Sequence, residues 1–177
     1  MTAPQSASSG SPFWRFSLRF YRRREVADAC IALQEEAGVD VNLLLFLLWH
    51  ATQKRTLSQP QIAELERRIA PWRDTTVIPL RTMRRALKSP PALVAGAAAE
   101  FFRTKIKAAE LEAERLQQEA MHGLAVPSLL GVDAPSLEAA ARANIAAYAA
   151  MRGAAFPASA TQTLLAALAG LERNPEE

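Results

Sequence analysis

The segment D-V-N-L-L-L-F-L-L-W (Asp40–Trp49) is apolar almost all the way round a helix. Val41, Leu44, Leu45 and Leu48 share one face, while Leu43, Phe46, Leu47 and Trp49 occupy the others. A helix with no polar face belongs in the middle of a bundle. The run is interrupted at Asn42 and stops at His50, far short of the roughly 20 residues needed to cross a bilayer. It therefore reads as a buried core helix, with Asp40 as its N-cap, a role worth about 1 kcal/mol.

The flanking segments supply stripes to wall it in. Val26, Ala29, Cys30, Leu33 and Ala37 follow three-and-four spacing in a helix from about Arg24 to Ala37, closed by Gly38. Ile62, Leu65 and Ile69 do the same in a helix opened by a Ser58/Gln61 capping box and ending before Pro71. Ser11-Pro12 opens a first helix with its cap and its proline in the favoured places. A fifth helix is expected over about Asp74–Lys88, kinked or near its start at Pro79. Beyond Pro90-Pro91 a long helix runs to His122, closed by Gly123, and two shorter ones follow near Ser136–Arg152 and Ser159–Arg173. No stretch alternates with the period of an exposed strand. The fold class is all-α, a compact bundle of about eight helices with one long helix in its C-terminal half.

Composition divides the chain without cutting it into independent domains. Of 177 residues, 21 are Lys or Arg and 18 are Asp or Glu, for a net +3. Residues 1–91 hold 14 basic against 8 acidic side chains, and residues 92–177 hold 7 against 10. Ala is skewed the other way, 10 copies against 26, so the second part should consist of thin, closely approaching helices. The organisation expected is a Ser/Ala/Gly tail over residues 1–11, an aromatic and basic half over 12–90, and an Ala-rich half over 91–177 packing on it. The start lacks the basic and apolar regions of a signal peptide, which points to a leader-free cytoplasmic protein.

The long helix carries Phe102, Ile106, Ala109, Ala113, Leu116 and Ala120 as a seam of coiled-coil spacing. Two occupants fit it: the final two helices folding back, with stripes Leu137, Ala141, Ile145, Tyr148 and Leu164, Leu168, Leu171, or a second copy of the chain in a homodimer.

Candidate functional residues are mostly basic. Arg81, Arg84, Arg85 and Lys88 share one face of the fifth helix, and the apolar stripe Leu80, Met83, Leu87 beside it should turn that face outward. Arg15, Arg19 and Arg22 form a second stripe interleaved with aromatics, and Trp72-Arg73 adds an aromatic–guanidinium pair. Guanidinium binds phosphate and carboxylate bidentately and stacks on rings, so these faces suit an acidic protein or a phosphate-bearing ligand, or nucleic acid. The alternative is a solvated face with ion pairs to Glu64, Glu66 or the acidic long helix. Ser58–Leu65 and Arg81–Lys88 resemble the two helices of a helix-turn-helix, but too much chain separates them. The Asp40–Asn42 turn, with Glu35 and Glu36, is a candidate pocket for a carboxylate-based enzyme. His50 and His122 sit near helix C-termini, where an imidazolium suits the dipole. Cys30 lies in a core stripe. With one Cys and two His there is no zinc ligand set, and no Gly-rich phosphate loop or nucleophile motif occurs, so neither metal nor cofactor is called for.

The strings F-W-R-F-S-L-R-F-Y (Phe13–Tyr21), A-C-I-A-L-Q (Ala29–Gln34), G-V-D-V-N-L-L-L-F-L-L-W (Gly38–Trp49) and P-L-R-T-M-R-R-A-L-K (Pro79–Lys88) together resemble a family of small proteobacterial proteins defined as a domain of unknown function. The resemblance implies a helical, cytosolic bacterial protein and assigns no activity, cofactor or catalytic residue. The residues themselves favour a non-enzymatic helical interaction module with a basic surface, nucleic-acid binding and an enzyme being the rivals.

Overall fold

A computed structural model describes residues 10–125 and 130–173. Its elements are α1 (Pro12–Tyr21), α2 (Arg24–Ala37), α3 (Val41–Thr52), β1 (Arg55–Thr56), α4 (Gln59–Trp72), a π-helical turn (Arg73–Val77), α5 (Ile78–Ala86), α6 (Gly96–Ala125), β2 (Val132–Asp133), α7 (Leu137–Arg152) and α8 (Ala158–Arg173). The tail expected over residues 1–11 lies outside the described residues up to position 9. At its end Ser11 is held in place, its N–H donating to Glu119 Oε1 at 2.9 Å and its Oγ capping Trp14.

The apolar rod takes the central position. Every side chain from Asn42 to Leu48 is buried, and Leu43, Leu44, Phe46, Leu47 and Leu48 have no exposed surface. Each such side chain contributes about 1.5–3 kcal/mol by leaving water. Val26, Ala29, Cys30 and Leu33 of α2 and Ile62, Leu65 and Ile69 of α4 bury the stripes read from their spacing. One core cluster extends from Phe13 to Leu171. No helix among the described residues is long and apolar enough to cross a membrane.

Several sequence expectations need correction. Pro71 does not end a helix: α4 passes through it to Trp72, and the π turn then leads directly into α5. Pro71 and Pro79 each remove a backbone N–H, so the carbonyls of Arg67 and Thr75 lose their ordinary helical donors. The wider π spacing, with the Ile78 N–H on the Arg73 carbonyl, carries the chain across that gap. Ser58–Leu65 and Arg81–Lys88 thus belong to one continuous helical path with no turn between them.

The two final helices do not wrap the long one. α7 packs along α3 and α8 along α2, and their stripes are buried there. The seam foreseen on α6 is split: Ala113 is buried, whereas Phe102 and Leu116 are nearly half exposed. What α6 turns inward is a polar face, Glu110, Gln117 and Gln118 with Ala113 and Met121. Gly123 lies within α6 and does not close it.

A short antiparallel pair joins β1 to β2 where the sequence reads as loop. Gly131 is required there, because at φ 80° a Cβ would stand 2.2 Å from the Thr56 carbonyl. Asn144 of α7, fully buried, staples the same region. Its Oδ1 accepts from the Leu57 N–H, and its Nδ2 donates to the Leu47 and Arg55 carbonyls.

Candidate functional site

Half of the basic face read on α5, Arg81 and Arg84, is not turned to solvent. Arg81 Nε reaches Glu110 Oε1 at 3.1 Å and its Nη2 reaches Glu114 Oε1 at 2.7 Å. Arg84 grips Glu110 through both Nε and Nη2. Both guanidinium side chains are about four-fifths buried. The apolar stripe expected to face inward is not buried: α5 buries no side chain, Met83 is 45% exposed, and Leu80 and Leu87 are half-buried. The cause lies on α6, where Glu110 and Glu114, one turn apart, offer carboxylates that two arginines can satisfy together. Arg85 and Lys88 stay exposed, Arg85 only loosely paired with Glu35 at 3.7 Å.

Trp72 and Arg73 are also committed internally. The indole N–H donates to the Ala113 carbonyl, and the guanidinium meets Glu66 at 2.6 Å, Asp74 at 2.8 Å and Asp40 at 3.3 Å. Burial opposes the charge on Arg73, but Asp74, Glu66 and Asp40 outweigh it and raise its pKa. The aromatic–guanidinium pair foreseen as a phosphate platform is therefore a structural strut. Arg15 and Arg19 lie elsewhere, beside a shallow depression formed with Trp49, Thr52, Leu137 and Leu171. Arg22 is exposed at the end of α1.

Asp40 is the hub of the polar network. Oδ1 caps α3 through the Leu43 N–H, and Oδ2 accepts from Arg73 and from Gln117 Nε2, each at 3.3 Å. Its own N–H donates to the Tyr148 hydroxyl at 2.9 Å, which ties α3 to α7. Next to it, Asn42 Oδ1 accepts from Gln118 Nε2 at 2.7 Å.

Around this network a two-lobed cleft opens. One lobe, about 540 Å³, lies between the Gly38–Asn42 turn, the π turn and α5. The other, about 740 Å³, lies between α1, α2, α5 and α6. Gln34, Glu35, Val41, Asn42, Arg81 and Arg85 border both, so the lobes are contiguous. Each falls within the usual range of small-ligand sites, about 300–1,000 Å³. The structure thus gathers into one place most residues of the two separate sequence candidates: Arg73, Arg81, Arg84, Arg85 and Lys88 with Asp40 and Asn42. Glu35 lines it, whereas Glu36 is exposed on α2 and does not.

The electrostatics are graded from floor to mouth. Burial works against the charge of Glu110, but the bonds from Arg84 and Arg81 win and lower its pKa. Burial dominates at Glu114 and raises its pKa despite Arg81. Ser17 Oγ, Gln117 Oε1 and Gln118 Oε1 are buried with no hydrogen-bond partner among the described residues. Arg152 of α7 closes over the turn so tightly that a Cβ on Gly38, whose φ is +61°, would sit 2.7 Å from its Nη2.

Neither His lies at the cleft. Burial, with Arg55 and His122 adding to it, lowers the His50 pKa to about 4, so this residue is neutral and not the imidazolium its helix terminus suggests. Burial raises the Cys30 thiol to about 12, which leaves it without nucleophilic character at neutral pH. The cleft is suited to binding by charge and hydrogen bonding. The alternative of ion pairs to Glu66 and the acidic long helix is what Arg73, Arg81 and Arg84 show, whereas Ser17, Gln117, Gln118 and Arg152 were missed. The signal available for the two glutamines was the polar face of the long helix at positions 110, 114, 117 and 118.

A family model described as a protein of unknown function, DUF2390, matches residues 12–121. The match runs past the Phe13–Lys88 strings through most of α6 and takes in every residue lining the cleft except Arg152. No curated protein and no solved structure matches the chain.

Proposed function

We propose that this chain, which belongs to the DUF2390 family, is a non-enzymatic binding module that holds an anionic group at the mouth of the two-lobed cleft. One observation carries the reading. Arg73, Arg81 and Arg84 neutralise the buried carboxylates below, while Lys88 and Arg152 at the mouth have no ion pair among the described residues and Arg85 has only a loose, exposed one. Four basic side chains against three acidic line the first lobe, and five against three line the second. The surplus is cationic where solvent enters.

Calorimetric titration of the full chain with pyrophosphate and with polyglutamate at low salt tests the reading. Binding that weakens at least tenfold in the double variant Arg85→Glu/Lys88→Glu supports it. No heat with either probe at low salt overturns it. The same titration with labelled duplex separates the nucleic-acid alternative, for which affinity would fall by about 0.9 log units per log unit of salt for each phosphate neutralised.

A further inference from the structure

The larger lobe differs from the rest of the surface. Trp14, Leu18, Tyr21, Ile31, Leu45 and Leu111 give it an apolar wall, and three of these stay exposed at its opening: Tyr21 at 38%, Ile31 at 42% and Leu111 at 50%. Large apolar side chains left wet around one concavity mark a place where apolar surface is meant to be covered. Around this wall stand the exposed side chains of Arg85 on α5, Lys88 just beyond its end and Lys107 on α6, opposed among the exposed residues described there by Glu35.

From these two features we infer that the larger lobe binds an aliphatic carboxylic acid. Its carboxylate meets Arg85, Lys88 and Lys107, and its chain covers Ile31 and Leu111. This rests on the anion-binding reading above and names the class of ligand. An aliphatic ammonium is disfavoured by the cationic rim, and a purely apolar molecule would leave that rim unanswered.

The test is a calorimetric series on the full chain with hexanoate, octanoate, decanoate and decyltrimethylammonium, alongside pyrophosphate. Affinity is expected to rise about fourfold per buried methylene along the unsubstituted acids. Leu111→Ser, at a half-exposed position that leaves the core untouched and adds no charge, should flatten the chain-length gain while pyrophosphate still binds. Affinity independent of chain length, or equal binding of the cationic amphiphile, overturns the inference. If pyrophosphate still binds in those cases, the anion-binding reading survives; if nothing binds, both fall together.

Discussion

Arg81 donates to Glu114 at 2.7 Å across the contact between α5 and α6, and the same guanidinium reaches Glu110 one turn away. This pairing turns half of what reads as a basic outer face into an inner strut, while Arg85 and Lys88 stay exposed and Met83 is left in solvent.

Removing the strut should be costly. Glu110→Ala leaves Arg81 and Arg84 partly buried without their shared carboxylate, and an expected loss of about 2–4 kcal/mol follows from stranding charge away from water. Glu100, whose pair with Arg103 is more than half exposed on the acid side, should leave stability nearly unchanged on the same substitution. Urea denaturation of the two variants checks the contrast.

Acid should unfold the protein partly through His50. Its folded pKa of about 4 lies below the ordinary 6.5, so the unfolded chain binds the proton more readily between these values. Stability is full above pH 6.5 and falls as pH drops toward 4, by on the order of 3 kcal/mol. His50→Leu removes the titration, and among the described residues neither ring nitrogen has a hydrogen-bond partner to lose. Melting temperature against pH should be flatter over that window in the variant.

Asn144 should behave as a single buried staple. Asn144→Leu keeps the volume but strands the Leu57 N–H and the Leu47 and Arg55 carbonyls, for a loss of roughly 2–4 kcal/mol. Hydrogen exchange at the Leu57 amide should accelerate well beyond the global change.

Burial separates two apolar substitutions. Leu44→Asp places a carboxylate at a position with no exposed surface and should prevent folding. Phe101→Ser changes a side chain that is 66% exposed and should shift stability by no more than about 0.5 kcal/mol. Circular dichroism melts of both settle the comparison.

Much of this architecture is legible in one dimension. Asp40 as the cap of α3, the Ser58/Gln61 box, the stripes on α2 and α4 and the buried rod are all set by side chains three or four residues apart. Those distances are fixed by the helix itself, so the sequence carries them without knowledge of the rest of the chain. The candidate site was half legible: Asp40, Asn42, Arg73, Arg81, Arg84, Arg85 and Lys88 are at the cleft, whereas Arg15, Arg19 and Arg22 are not.

Sequence by itself thus determined the helical class, the central rod and the identity of most charges that matter. Only the tertiary structure decided which way those charges face. Arg81 and Glu110 are 29 residues apart, Asp40 and Gln117 are 77 apart, and Asp40 and Tyr148 are 108 apart. A helix can satisfy its backbone alone, but a buried guanidinium or carboxylate is tolerable only where a partner meets it, and that partner is supplied by packing. The polar face of α6 therefore turned inward against every local rule for an amphipathic helix, and with it came the cleft.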